Sequence, residues 1–234
     1  MKKENIIQTV LNVLLGIGVL VGDVFYILAD QLLVKTLASA AFFLMGLLNI
    51  FYSFKQNRQN INFAMIMTLG LFFAMLGDIL LELFFILGAG FFAIGHVFYF
   101  FAYCKLVKFS WKDLIAGGVL ALIAVLFILI APIFNLDVVM KIVIVFYAVV
   151  ISFMLGKSIT NVIRERNLLN VLILVGSFLF FFSDLMLLLR IFTDFPDATK
   201  AILGALCLGT YYPAEIILAI SILFLPKSKE KTEE

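Results

Sequence analysis

The chain has 234 residues, 65% of them hydrophobic and 14% charged, with a mean hydropathy of +1.19 and a net charge of +2. A soluble globular domain runs at about 45–50% apolar and about 25% charged, so that class is excluded. So small a net charge, spread over short segments, excludes a nucleic-acid surface, and the length predicts about eight spans of roughly 20 residues with no soluble domain attached.

Apolar runs of about 17 residues or more fall near 6–28, 32–54, 61–87, 88–107, 114–131, 137–156, 168–192 and 200–225. The expected fold is all-α: a polytopic membrane protein forming a single eight-helix transmembrane domain over residues 1–234. The first run is long for a signal peptide and no small-x-small cleavage site follows it. It carries Gly18 and Gly22, a small-xxx-small packing face, and then Asp23. The second run opens with Lys35-Thr36-Leu37. The third, Ile61–Leu87, is almost wholly apolar, and its charged residues are Asp78 and Glu82 towards its end. An Asp at the centre of a membrane helix costs roughly 2.5–3.5 kcal/mol even on insertion scales, so its presence points to use. Gly88-Ala89-Gly90 is expected to form the tight turn into the fourth span. That span carries His96, Tyr99 and Tyr103 at i, i+3 and i+7, a polar stripe. Trp111 fits an interfacial anchor before the fifth span. Lys141 lies early in the sixth, Ser183-Asp184-Leu185 and Arg190 in the seventh, and Tyr211, Tyr212 and Glu215 in the eighth. Cys104 and Cys207 stand singly and read as packing residues. The 27 phenylalanines are lipid-facing and interhelical filler.

The basic residues orient the bundle. Lys2, Lys3, Lys55, Arg58, Lys105, Lys108, Lys112, Lys157, Arg164, Arg166, Lys227, Lys229 and Lys231 all fall at one face, in the termini and the 55–60, 105–113 and 157–167 loops. The positive-inside rule makes that face, with both termini, cytoplasmic. Asp30, Asp137, Asp194 and Asp197 read as solvated loop charges.

With that topology, Asp23, Asp78 and Asp184 lie roughly 8–14 Å below the outer boundary. Lys35, His96 and Lys141 return to a similar depth, with Glu215 deeper, and Asp78 and Glu82 share a face at i, i+4. The cytoplasmic half shows no comparable polar set, so one polar cavity in the outer half is expected. A single His and no thiolate cluster disfavour a zinc site, and neither a nucleophile elbow nor a nucleotide-binding glycine loop is present. Paired carboxylates remain. In a low-dielectric cavity one stays protonated while its partner, near Lys or Tyr, is ionised, giving a general acid beside a base or charge stabiliser. This arrangement suits cleavage through an oxocarbenium-like state, and equally a proton-coupled transporter.

The blocks Leu76-Gly77-Asp78-Ile79-Leu80-Leu81 and Phe91-Phe92-Ala93-Ile94-Gly95-His96-Val97-Phe98-Tyr99 resemble the YhhN-type lysoplasmalogenase family. So do Phe182-Ser183-Asp184-Leu185-Met186, Thr210-Tyr211-Tyr212-Pro213-Ala214-Glu215, Lys35-Thr36-Leu37 and Tyr147-Ala148-Val149-Val150-Ile151-Ser152. Thr36 stands where Pro is usual, and Glu215 where a neutral amide is expected. The resemblance implies an eight-span hydrolase of a bacterial plasma membrane, with no cofactor and no metal. Its substrate would be a lysophospholipid drawn from membrane lipid, a lysoplasmalogen, whose vinyl ether is cleaved to a fatty aldehyde and glycerophosphoethanolamine or glycerophosphocholine. On that basis Asp78 and Asp184 are the candidate catalytic pair, either one donating the proton while the other, ionised, stabilises the cation and activates water. Glu82, His96, Tyr99, Tyr211, Tyr212 and Glu215 would support them, and Lys35, Lys141 and Arg190 would hold the head group. The rival expectations are a non-enzymatic transporter or lipid-binding protein and, more remotely, an intramembrane aspartyl protease. For the latter, Met75 breaks the Gly-x-Gly-Asp element.

Overall fold

The computed structural model describes residues 3–29 and 31–227. Lys2, Asp30, Lys229, Lys231 and the side chain of Lys3, on which part of the charge reading rests, lie outside the described residues. Eight helices follow in chain order: α1 (Lys3–Ala29), α2 (Leu32–Lys55), α3 (Ile61–Leu83), α4 (Phe85–Leu106), α5 (Trp111–Ile130), α6 (Val138–Arg164), α7 (Leu168–Phe192) and α8 (Asp197–Ser221), the last continued by a 3-10 turn, Ile222–Phe224. All eight are long and apolar enough to cross a membrane. The protein is a multi-pass membrane protein of helices alone among the described residues. In hydrocarbon every backbone N–H and C=O must be paired within the segment, which a helix achieves by itself.

Short connections make successive helices antiparallel. The termini meet the α2–α3 connection, where Gln59 N–H donates to Pro226 O at 2.8 Å and Lys55 pairs with Glu4 at 2.8 Å. At the opposite end, Phe134 bridges Thr193, and Asn135 N–H donates to Phe192 O at 2.8 Å, strapping the α5–α6 connection onto the α7–α8 one. α8 packs against α1, α2, α3 and α7, whereas α5 packs against α6 alone among the described helices.

The α3–α4 break corrects the expected boundary. It falls at Phe84, a single extended residue (φ −146°, ψ 92°), and Gly88 lies inside α4. A Cβ on Gly88 would sit 2.4 Å from the Leu81 backbone. The glycines therefore give α4 a bare face that folds straight back on α3, rather than making the turn. The correction also brings Asp78 within five residues of its helix end, about 8 Å deep. Of the small face expected on α1, Gly22 meets α2 (a Cβ would lie 3.0 Å from that of Ala38), but Gly18 looks onto open space.

The terminal half holds more polar structure than the sequence reading allows. Helix α6 runs on to Arg164, so Lys157 is no loop residue; it is fully buried and pairs with Asp113 at 2.9 Å. Asp113 also accepts from Thr160 at 2.5 Å and from Ser110 N–H at 2.7 Å, closing the capping box of α5. Lys157 donates further to Val107 O at 2.9 Å. Nearby, Asn49 on α2 exchanges amide bonds with Asn12 and donates to Ala219 O, tying α1, α2 and α8 together. These contacts work because polar pairs hold helices together in a solvent that gives no hydrophobic drive between them.

Helices α5 and α6 touch most closely at Gly117 and Gly156, where a Cβ on Gly156 would lie 2.4 Å from Gly117 N. Gly156→Val is expected to force them apart and destabilise the protein by about 1–3 kcal/mol, as overpacking does. Thermal unfolding in detergent checks this; an unchanged midpoint would show the contact to be unimportant.

Candidate active site

Two carboxylate clusters lie near the end opposite the termini. The first grows from two matched helical spacings. Lys35 and Ser39 are one turn apart on α2, and Asp78 and Glu82 one turn apart on α3, so the four side chains form a ladder. Ser39 donates to Asp78 Oδ2 at 2.5 Å. Lys35 Nζ lies 3.6 Å from Asp78 Oδ1 and 2.7 Å from Glu82 Oε1. Tyr26 on α1 donates to the same Glu82 oxygen at 2.7 Å. Asp78 and Lys35 are buried, while the Glu82 side chain is 39% exposed. The ladder thus leads from the interior to the surface.

The second cluster joins α4, α6 and α7. Tyr147 donates to Asp184 Oδ2 at 2.6 Å, and His96 Nε2 lies 2.8 Å from the Tyr147 oxygen and 3.6 Å from Asp184. Tyr147 has one proton and gives it to Asp184, so His96 donates through Nε2. Its Nδ1 is then a buried acceptor with no hydrogen-bond partner.

An aromatic set separates the clusters. Phe180 packs edge-on to His96 with centroids 4.6 Å apart and to Tyr211 at 5.2 Å, and Tyr211 meets Phe92 at 5.8 Å. Tyr211 faces Asp78 and Tyr212 faces Ser39, yet neither hydroxyl closes a hydrogen bond. Tyr99 donates to Glu215 Oε2 at 2.7 Å, leaving the buried Oε1 without a partner. Glu215 lies within electrostatic reach of both Asp78 and Asp184. Asp23, also buried, carries an unpartnered Oδ1.

The expected residues are therefore gathered, with Asp78 and Asp184 in separate hydrogen-bonded clusters and no hydrogen bond between the two among the described residues. The three candidate head-group cations separate as well. Lys35 is 3% exposed with both its partners carboxylates, Lys141 is exposed in the first turn of α6, and Arg190 is exposed on α7. The Arg190 guanidinium lies across Gly204, where a Cβ would sit 3.1 Å away, and within electrostatic reach of Glu82. Ser39, Tyr26 and Tyr147 are site residues to which the sequence reading gave no role. The i, i+4 spacing of Lys35 and Ser39 is a signal that would have found Ser39, and Tyr147 opens one of the blocks that carry the family resemblance. Among the described residues no three His, Cys, Asp or Glu side chains converge as metal ligands.

Asp184 also reaches a cavity. A chamber of about 410 Å³ lies among α4, α5, α6 and α7, walled by residues such as Phe92, Phe127, Ile144 and Leu188. Asp184 is the only carboxylate on its wall, and Tyr147 its other polar side chain. The volume falls in the range of about 300–1,000 Å³ typical of small-molecule sites. Between the Gly117–Gly156 contact and the strap, Ile128 of α5 packs with Ile144 and Ala148 of α6, and these side chains form part of the chamber wall.

Comparison with known proteins gives one match. The chain matches the YhhN family over residues 31–222, most of its length, and belongs to that family. No curated protein and no solved structure matches it.

Proposed function

We propose that this YhhN-family protein is a hydrolase of the vinyl-ether bond of lysoplasmalogens, releasing a fatty aldehyde and glycerophosphoethanolamine or glycerophosphocholine. It would act in a bacterial plasma membrane with both termini cytoplasmic. The observation that carries the proposal is Asp184: one carboxylate, held by Tyr147, on the wall of an otherwise apolar chamber.

In this mechanism the hydrocarbon chain lies in the chamber and Asp184 protonates the β-carbon of the vinyl ether, leaving an oxocarbenium ion. Asp184, now ionised, takes a proton from the water that captures this ion and so regains its acid form. Asp78, held by Lys35 and Ser39 behind the Phe180 and Tyr211 rings, supplies negative charge that stabilises the cation. The hemiacetal collapses to aldehyde and the glycerol hydroxyl. Arg190, with Lys141, meets the head-group phosphate at the outer rim, a charge-assisted contact. Glu82 and Tyr26 hold Lys35; His96 and Tyr147 orient Asp184; Tyr99, Tyr211, Tyr212 and Glu215 shape the boundary between the clusters.

Purified protein in detergent, given a panel of lysolipids, is expected to release aldehyde from lysoplasmalogens and none from ester lysolipids. Transport without product would overturn the hydrolase in favour of a transporter. Tyr147→Phe removes the donor that stabilises the Asp184 carboxylate as its proton leaves, and should lower kcat by about 10–100-fold, the worth of a hydrogen bond to a developing charge. A rate equal to wild type would deny Tyr147 that role.

A further inference from the structure

A second apolar hollow, again about 410 Å³, lies between α4 and α6 and shares Ala89, Val143 and Tyr147 with the chamber. Its floor on α4 is built of small residues, Ala89, Gly90 and Ala93, and a Cβ on Gly90 would meet nothing within 4 Å. Its rim is open to the surroundings of the bundle: Ile94 is 42% exposed, Ile142 65% and Phe146 64%. In a membrane those surroundings are lipid. The two helices are held together at the terminal end, where Asn161 donates to Tyr103 O at 3.0 Å, and again where His96 meets Tyr147. The hollow runs along both helices from Val97 and Val150, past the level of the His96–Tyr147 contact, to Ile86 and Ile142 near their ends.

We propose that this groove is a side entrance through which the hydrocarbon chain of a membrane lipid slides from the bilayer to Asp184. The proposal rests on the reading that Asp184 acts on a chain-bearing lipid. Three features argue for a lipid chain as the occupant. The lining is apolar apart from Tyr147, the rim faces the leaflet on the side away from the termini, and the groove lies against the chamber that carries the carboxylate, with Ala89, Val143 and Tyr147 common to both walls. Tyr147, standing at the junction, would meet a chain at the point where it passes from groove to chamber.

The experiment uses the full chain in lipid vesicles. Gly90→Phe puts a ring into the groove from a position where a Cβ meets nothing within 4 Å, and Gly18→Phe, from an equally open position on α1, is the control. Gly90→Phe is expected to lower kcat/KM for a long-chain lysoplasmalogen in the vesicle at least about tenfold. It should leave a short, water-soluble vinyl ether within about twofold of wild type, and Gly18→Phe should change neither. Equal long-chain rates in Gly90→Phe and wild type would overturn the entrance. A lysolipid bearing a photoreactive diazirine in its chain gives a readout independent of turnover: it should label α4 and α6 in wild type and lose that labelling in Gly90→Phe. If wild type releases no aldehyde but is so labelled, the hydrolase fails and the groove stands. If the label falls elsewhere, or cross-links at Phe146 join two copies of the chain instead, the groove is not a lipid path.

Discussion

Asp184→Asn is expected to abolish aldehyde release, lowering kcat by about 100- to 10,000-fold, the usual worth of a positioned general acid. The amide keeps the shape and can still accept from Tyr147, but it has no proton to give to the β-carbon. KM should change little, since the chain is held by the apolar walls of the chamber rather than by the carboxylate. Asp78→Asn should also stop turnover, for a different reason. Lys35 keeps Glu82 at 2.7 Å, so the ladder stays together, but the negative charge that would stabilise the oxocarbenium ion is gone. Aldehyde assays on both variants, with melting midpoints to show that each is folded, decide the matter. More than about a tenth of wild-type activity in well-folded Asp184→Asn would sink its role as the acid.

Lys157→Met should be the most destabilising single change at the terminal end. Its ammonium is fully buried against Asp113, and removal leaves a carboxylate out of water with hydroxyl and amide donors but without its near cation. Arg164 is 3.9 Å away, too far for a close pair. Losing one partner of a buried pair costs about 3–5 kcal/mol, whereas replacing both with apolar groups of similar volume is often neutral. Lys157→Met combined with Asp113→Leu should therefore recover much of the loss, less about 1 kcal/mol for the capping box of α5. Thermal unfolding in detergent measures both. If the double variant is no better than the single, the pair is not the source of the effect. Because α5 is held to the bundle through α6, loosening this end should also disturb the chamber. The single variant should then lose activity at temperatures where its secondary structure persists.

Much of the molecule was legible in the sequence. Apolar runs of this length read as helices in a membrane, because a helix pairs its backbone within the one run, whereas a strand needs a closed barrel of alternating segments. That fixed eight helices, and the expense of burying charge singled out Asp78 and Asp184. Boundaries were less legible where composition misleads. Gly88 looked like a turn because glycine is permissive, but its use is to let α4 approach the Leu81 backbone. Lys157 looked like a loop charge because hydropathy reads a lysine as an end, and only its pairing with Asp113, 44 residues earlier, makes burial tolerable.

By itself, the sequence determined the class, the helix count and which side chains were too polar for lipid to be accidental, since each of these is a local cost that a single residue or run incurs alone. Tertiary structure decided everything that depends on which helices meet. It split the polar residues into an Asp78 ladder and an Asp184 relay with Phe180 and Tyr211 between them. It also brought Tyr147 into the site, and placed Asp184, not Asp78, on the wall of the chamber. Contacts between helices follow from small residues and paired polar groups far apart in the chain, and no local pattern carries them.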